Sequence, residues 1–466
     1  MALDAATCRI CLVGDEPDNP LVLKCGCRGS NGYVHDACLA RWRRTADDPK
    51  AAFRCGTCKD FYRDALALEL LRERLAEQRA RLGGQDNATS GTMVELANQL
   101  QFQGKYNEAE PLYREAVASE REARGQEHLN TLTAKGNLAQ LLRDLGKLAE
   151  AELLMREVLA TKRKTLGDRH DSTLITMSNL SALLQTKDQV AEAEPLCREV
   201  AAGFREKLGD RHRDTLGSIN NLAALLKAKG ELAAAETLYR EVLLACRETM
   251  GSRHPNTLST MNNLASLLHD KRELTEAERL YREALTVQRE TLGSKHPNTL
   301  NSINNLAELV KSQGKYGEAL DLFREALAGY RKVLGSQHPA TLKAMNDLAT
   351  MLQDNGELAA AEQLYRETIA GCRATMGEDH AHTRTAMDSL ALLMQMQRIR
   401  AGPPLPQRVK LHGLVKAPQL NGLCGRVVAV DAKSGRWVVK LDDGRAPIKL
   451  KPENCAEFLG PATENA

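Results

Sequence analysis

A histidine returns every 42 residues through the middle of this chain, as His128, His170, His212, His254, His296, His338 and His380. A glycine three residues ahead of each keeps the same step, from Gly125 to Gly377. Strict self-similarity at a period of about 20–50 residues marks a solenoid, in which each unit buries its apolar face only against its neighbours. Each unit reads as two helices. The first carries an Asn-Leu-Ala-type core, at Asn137-Leu138-Ala139, Asn179-Leu180-Ser181, Asn221-Leu222-Ala223, Asn263-Leu264-Ala265 and Asn305-Leu306-Ala307. A turn follows, often with glycine, and the second helix carries Ala-Glu-x-Leu-Tyr-Arg-Glu, as in Ala277 to Glu283. Seven second helices are expected to start near residues 106, 148, 190, 232, 274, 316 and 358, with an unpaired cap over about 383–400. The seven histidines are too far apart to share a metal. Equivalent atoms in stacked units lie about 10 Å from one another, whereas coordination needs about 2 Å. They read instead as a structural stop signal in the turn. Cys197, Cys246 and Cys372 fall on second helices and read as small core residues.

A chain of 466 residues exceeds one ordinary core and divides into several domains. Aromatic content of 4% suits an Ala/Leu-rich helical protein better than a large sheet. A net charge of +3 gives no global field for nucleic acid or membrane. No apolar run approaches the length of a membrane span, and the opening MALDAATCRI lacks the basic and apolar regions of a secretory signal. The expected compartment is the cytoplasm, where the acceptor-like Asn87-Ala88-Thr89 would stay idle.

Seven of the twelve cysteines lie within residues 8–58, too dense for an export framework. With one histidine they make four spaced pairs. These are Cys8 and Cys11, Cys25 and Cys27, His35 and Cys38, and Cys55 and Cys58. Zinc takes four soft or borderline ligands in a tetrahedron, and a short spacer lets two come from one turn. Eight ligands fit two zinc ions, filled either by consecutive pairs or by alternating ones. Some fifty residues offer little core, so metal binding would supply most of the folding free energy, on the order of 10 kcal/mol or more per site.

This pattern resembles the RING-CH (RING-variant) family of ubiquitin ligases over about residues 7–62. Ile10 between the first cysteines, Gly29-Ser30, Val34-His35, Trp42 and Phe61 carry the likeness. The resemblance implies the interleaved scheme, with Cys8, Cys11, His35 and Cys38 on one zinc and Cys25, Cys27, Cys55 and Cys58 on the other. It also implies a role without covalent chemistry. The zinc domain binds a ubiquitin-conjugating enzyme through Ile10 and Trp42 and orients its ubiquitin for attack by a substrate lysine. Lys59 stands where many active members carry an arginine, and Gly56-Thr57 stands where a proline is frequent. A PHD-type histone reader has the same order of ligand types, though usually a shorter spacer before the histidine.

The repeats resemble tetratricopeptide repeats of the kinesin light chain type over about residues 92–400. That likeness implies a right-handed superhelix with a groove lined by first helices. In such grooves an Asn before the core Leu bonds an extended peptide backbone, a place held here by Asn137, Asn179, Asn221, Asn263 and Asn305. The series breaks at Asp347 and Ser389.

Residues 63–91 read as a connecting helix with Leu66, Leu70, Leu71, Leu75 and Leu82 on one side, then a flexible joint GGQDNATSG. Beyond AGPPLP at 401–406 the pattern alternates like strands, and a small SH3-like β-barrel is expected over about 407–458 with Trp437 in its core. Ten Lys/Arg against five Asp/Glu between 403 and 460 read as a solvated basic surface. The expected architecture is mainly α, with a two-zinc RING-CH domain (1–62), a linker (63–91), a tetratricopeptide solenoid (92–400) and a β-module (401–466). The expected function is a RING-type ubiquitin-protein ligase. It would pair a conjugating enzyme and ubiquitin with a substrate or adaptor peptide in the groove, without nucleic acid or a membrane span. The alternative is a non-catalytic scaffold or cargo adaptor with a protein-binding zinc finger. No nucleophilic triad or phosphate-binding glycine loop stands out for a second centre.

Overall fold

The computed structural model describes residues 65–401 and most of 408–457, with short pieces at 21–23, 33–35, 38–39 and 41. Sixteen α-helices follow one another among these residues. They are α1 (Ala65–Leu82), α2 (Asn87–Phe102), α3 (Tyr106–Arg124), α4 (Leu129–Asp144), α5 (Leu148–Leu166), α6 (Asp171–Thr186), α7 (Val190–Leu208) and α8 (Arg213–Ala228). Then come α9 (Leu232–Met250), α10 (Pro255–Asp270), α11 (Leu274–Thr291), α12 (Pro297–Ser312), α13 (Tyr316–Leu334), α14 (Pro339–Asp354), α15 (Leu358–Met376) and α16 (Ala381–Ala401). The seven second helices α3, α5, α7, α9, α11, α13 and α15 start at the residues the period gives, and α16 is the unpaired cap.

The repeating histidine starts helices. In every unit its Nδ1 accepts the backbone N–H two residues on, at 3.1–3.2 Å, which caps the first helix. The stop signal expected from the sequence is thus a start signal. The threonine three residues later turns back, its hydroxyl donating to the carbonyl of the repeating glycine at 2.7–2.8 Å in five units. That glycine ends the second helix in a conformation closed to most side chains, as at Gly251 with φ 83°.

Small residues set how closely the helices approach. Ala109, Ala151, Ala193, Ala235, Ala277, Ala319 and Ala361, 42 residues apart, are all fully buried. Four residues further on, Tyr113, Met155, Cys197, Tyr239, Tyr281, Phe323 and Tyr365 fill the space between helices, all buried. Cys246 and Cys372 are buried too, and burial pushes both thiols up.

The helical array begins earlier than the repeat signature. Asp86 stands 42 residues before His128 and caps α2 in its place, its Oδ1 accepting from Ala88 N at 2.8 Å. The first turn of α2 therefore occupies most of the expected joint, with Thr89 and Ser90 buried. Helix α1 stands 42 residues before α3 in the same sense. Arg72 and Arg79 reach Glu108 and Glu115 of α3 at 2.5 and 2.6 Å, the same 36-residue bond that later second helices make.

The chain divides into two compact units, residues 1–390 and 391–466. In the second, β3 (Arg408–Leu411), β4 (Cys424–Val430), β5 (Trp437–Leu441), β6 (Ile448–Leu450) and β7 (Cys455–Glu457) form one antiparallel sheet in the order β6-β5-β4-β3-β7. Val409, Leu411, Val439 and Leu441 are its buried core, with Trp437 half-buried against them. The strand alternation of the sequence is present as this single curled sheet. Near the N-terminus, β1 (Leu21–Leu23) and β2 (Tyr33–His35) form a two-stranded antiparallel ribbon.

Candidate functional site

Of the eight metal-ligand candidates, His35 and Cys38 fall among the described residues. His35 closes β2, paired with Leu21, and Cys38 follows half-buried beside the buried Leu39. Cys8, Cys11, Cys25, Cys27, Cys55 and Cys58 lie outside the described residues, as do Ile10, Trp42 and Lys59. The donor set of seven thiols and one imidazole in four chelating pairs fits zinc, which takes thiolate and imidazole nitrogen in such pairs.

The solenoid carries two polar ladders. One joins second helices. Arg114, Arg156, Arg240 and Arg282 each reach a glutamate 36 residues on, namely Glu150, Glu192, Glu276 and Glu318, at 2.6–3.0 Å. Each of these arginines also holds a glutamate four residues back, and that glutamate takes a lysine from the next turn. Glu236 is gripped by Arg240 and Lys271, and Glu278 by Arg282 and Lys315. At Glu278 burial works to raise the pKa, but bonds from Gln313, Arg282 and Lys315 outweigh it and hold the carboxyl at about 2.

The other ladder joins first helices. Asn262 Nδ2 donates to Ser302 Oγ at 2.7 Å, Asn304 Nδ2 to Asp347 Oδ2 at 2.9 Å, and Asn263 Nδ2 to Asn220 Oδ1 at 3.3 Å. Lys227 donates to Ser266 Oγ at 2.6 Å, and Gln101 to Asp144 Oδ2 at 2.8 Å. The five asparagines expected in the groove divide on this ladder. Asn263 donates to Asn220 and is half-buried like Asn137, Asn179 and Asn305, whereas Asn221 is exposed. The asparagine one place earlier, at Asn220, Asn262, Asn304 and Asn346, is visible in the sequence, but its role between units is not. Asn262 and Asn304 are 8% and 6% exposed and tie neighbouring units together. Doubled asparagines at 220–221, 262–263 and 304–305 were the available signal. At the break in the series, Asp347 takes the bond from Asn304, and burial raises its pKa against the pull of Lys343.

Comparison with known proteins agrees with this division. The RING-variant domain family matches residues 8–58, from the first candidate ligand to the last. Tetratricopeptide repeat families match residues 88–164, 173–256 and 258–374. The chain thus joins a RING-variant domain, a zinc-binding class, to an array of tetratricopeptide repeats. Among curated proteins, it is 41% identical over 61 residues to the ERAD-associated E3 ubiquitin-protein ligase DOA10 of Saccharomyces cerevisiae, covering 12% of this chain and 5% of that one. It is 42% identical over 57 residues to the human protein named Probable E3 ubiquitin-protein ligase MARCHF10, covering 11% and 7%. It is 42% identical over 40 residues to human MARCHF8, covering 9% and 14%. The chain therefore spans a small fraction of those relatives, and the likeness supports ligase activity at the level of the zinc domain. Among solved structures, nearly identical TPR-like repeats of a Podosopora anserina kinesin light chain align at 30% identity and TM-score 0.37, over 44% of this chain and 98% of that one. BtubC (BKLC) from P. vanneervenii aligns at 22% identity and TM-score 0.39, over 51% and 92%. Among the described residues no helix is long and apolar enough to cross a membrane.

Proposed function

We propose that the chain is a RING-type ubiquitin-protein ligase of the cytoplasm, with recruitment of ubiquitin at its N-terminus and of substrate on its repeats. The observation that carries this reading is the RING-variant match over residues 8–58, which takes in all eight ligand candidates and no more. Two zinc ions, held alternately by Cys8, Cys11, His35 and Cys38 and by Cys25, Cys27, Cys55 and Cys58, give the domain its fold. Ile10 and Trp42 dock the conjugating enzyme, and Lys59 supplies a positive charge beside the joined ubiquitin without the planar fork of an arginine. Their contribution to rate is orientation, since the zinc domain offers no nucleophile of its own for a covalent step. Asn137, Asn179, Asn221, Asn263 and Asn305 bond the main chain of a substrate or adaptor peptide, because an amide both donates and accepts.

The test is titration of the zinc-loaded full chain with a panel of ubiquitin-conjugating enzymes. At least one should bind in the micromolar range, and Ile10→Ala with Trp42→Ala should weaken it tenfold or more. Binding that ignores both substitutions would contradict the docking assignment. Lys59 and Gly56-Thr57 favour one rival, an adaptor whose zinc domain binds protein without transfer. That rival predicts that Trp42→Ala leaves cellular function intact.

A further inference from the structure

The solenoid meets itself. The turns that follow first helices form one edge of the array, and the turns that carry the repeating histidine form the other. At His338 the two edges touch. Its Nε2 donates to the Phe102 carbonyl at 3.0 Å, across 236 residues of sequence. His380 bonds the Asp144 backbone at the same separation of 236 residues, one unit further on. Asn107 Nδ2 donates to the Ala374 carbonyl at 3.1 Å. A separation of 236 residues is about 5.6 units of 42, so one superhelical turn takes that many repeats.

Glycine usage follows the seam. A Cβ at Gly104 would lie 2.6 Å from Pro339 Cδ, and one at Gly146 would lie 3.0 Å from His380 Cδ2. The equivalent Gly230, Gly314 and Gly356 face open space. The remaining two units carry Asp188 and Arg272 there, at φ 59° and 66°. The left-handed turn thus tolerates a side chain where no edge approaches, and glycine stands wherever one does.

We propose that the solenoid is a closed collar, its first two units latched edge to edge onto the units that begin at His338 and His380. The groove is then an enclosed channel that takes one extended segment of polypeptide, a conclusion that rests on the groove reading above. Helix axes spaced about 10 Å apart, 5.6 to a turn, set the ring of first helices at a radius of about 9 Å. Removing a helix's own radius of about 5 Å leaves a bore of about 8 Å, narrower than a helix of about 10–12 Å. Only a chain with a free end enters such a collar while the latch is shut.

Gly104→Ala and Gly230→Ala strain the same left-handed turn, but only the first places a methyl group in the seam. Small-angle X-ray scattering of the full chain should show a larger radius of gyration for Gly104→Ala and none for Gly230→Ala. In parallel, Asn107→Cys with Ala374→Cys should form a disulfide in air, mapped by peptide mass spectrometry, with the radius unchanged. Equal scattering from the two glycine variants, or no cross-link between 107 and 374, would overturn the collar. A dodecapeptide selected from a random phage library on the full chain then tests the channel. Grafted into a loop of a folded carrier, it should lose at least tenfold in affinity on the cross-linked chain, while the free peptide keeps its own. Equal binding of the graft to linked and unlinked chains would overturn the enclosed channel. Failure to select any peptide would remove the groove reading and leave the collar to the scattering and cross-link results.

Discussion

His254 does at one residue what each unit repeats, holding the Asn256 N–H on its Nδ1 at 3.2 Å. His254→Ala should cost about 1 kcal/mol in urea unfolding, and His254→Asn should restore most of it, because a short side-chain oxygen caps equally well. A full-sized loss in both variants would mean that the ring matters for something other than the cap. Gly329 presents a different constraint. A methyl group there would overlap the Leu300 side chain, so Gly329→Ala should destabilise by about 1–3 kcal/mol despite the better helix propensity of alanine. A gain in melting temperature would show that Leu300 yields. Acid should act on the fold in two steps. Burial lowers the pKa of His338 and His380 below the ordinary 6.5, so the folded chain holds fewer protons there than the unfolded one. That contribution is complete above 6.5 and is lost as the pH falls through and below it. Glu278, held at about 2 against an ordinary 4.5, contributes above 4.5 and loses its share between there and 2. Urea midpoints at pH 7.5, 5.5 and 3.5 should fall in sequence, and Glu278→Gln should lessen the second drop without changing the first, the rest of that drop coming from Glu110, Glu152, Glu194 and Glu236, which their basic partners also hold low.

Helices were the most legible elements. A fixed period specifies where α3 to α16 start and end, with a capping histidine at the first helices and a glycine just past the second helices. Helix α1 reads from the sequence only as a connector and the start of α2 as a joint, because the signature decays at the edge of the array, where Asp86 replaces the histidine. The side chain that caps the helix changed while the cap itself did not. The groove candidates were legible as a series, but the doubled asparagines are read correctly only when the partners Ser302, Asp347 and Asn220 are seen across the interface. The candidate zinc ligands stand out in the sequence as spaced pairs. Which pairs would share a metal does not, since spacing along a chain does not say which segments meet. Between elements, the arginine ladder predicts a charge swap. Arg240→Glu should lower stability by up to about 1 kcal/mol, because the pair is partly exposed, and adding Glu276→Arg should restore part of it. No recovery in the double variant would mean that Glu236 and Lys271 dominate that site.

At the scale of the whole chain, the eight candidate metal ligands all lie within residues 8–58, ahead of the repeats. Cys25→Ala should remove one of two zinc ions by native mass spectrometry and leave the helical signal at 222 nm nearly unchanged. A joint loss of zinc and helix would show that the units fold together. The central claim is that residues 8–58 hand ubiquitin onward. Its most direct test is single-turnover discharge, in which a conjugating enzyme loaded with ubiquitin is mixed with free lysine and the zinc-loaded full chain. Discharge should be faster with at least one enzyme of the panel and return to the background rate in the Ile10→Ala, Trp42→Ala chain. Two bound zinc ions with no acceleration by any enzyme tried would contradict it.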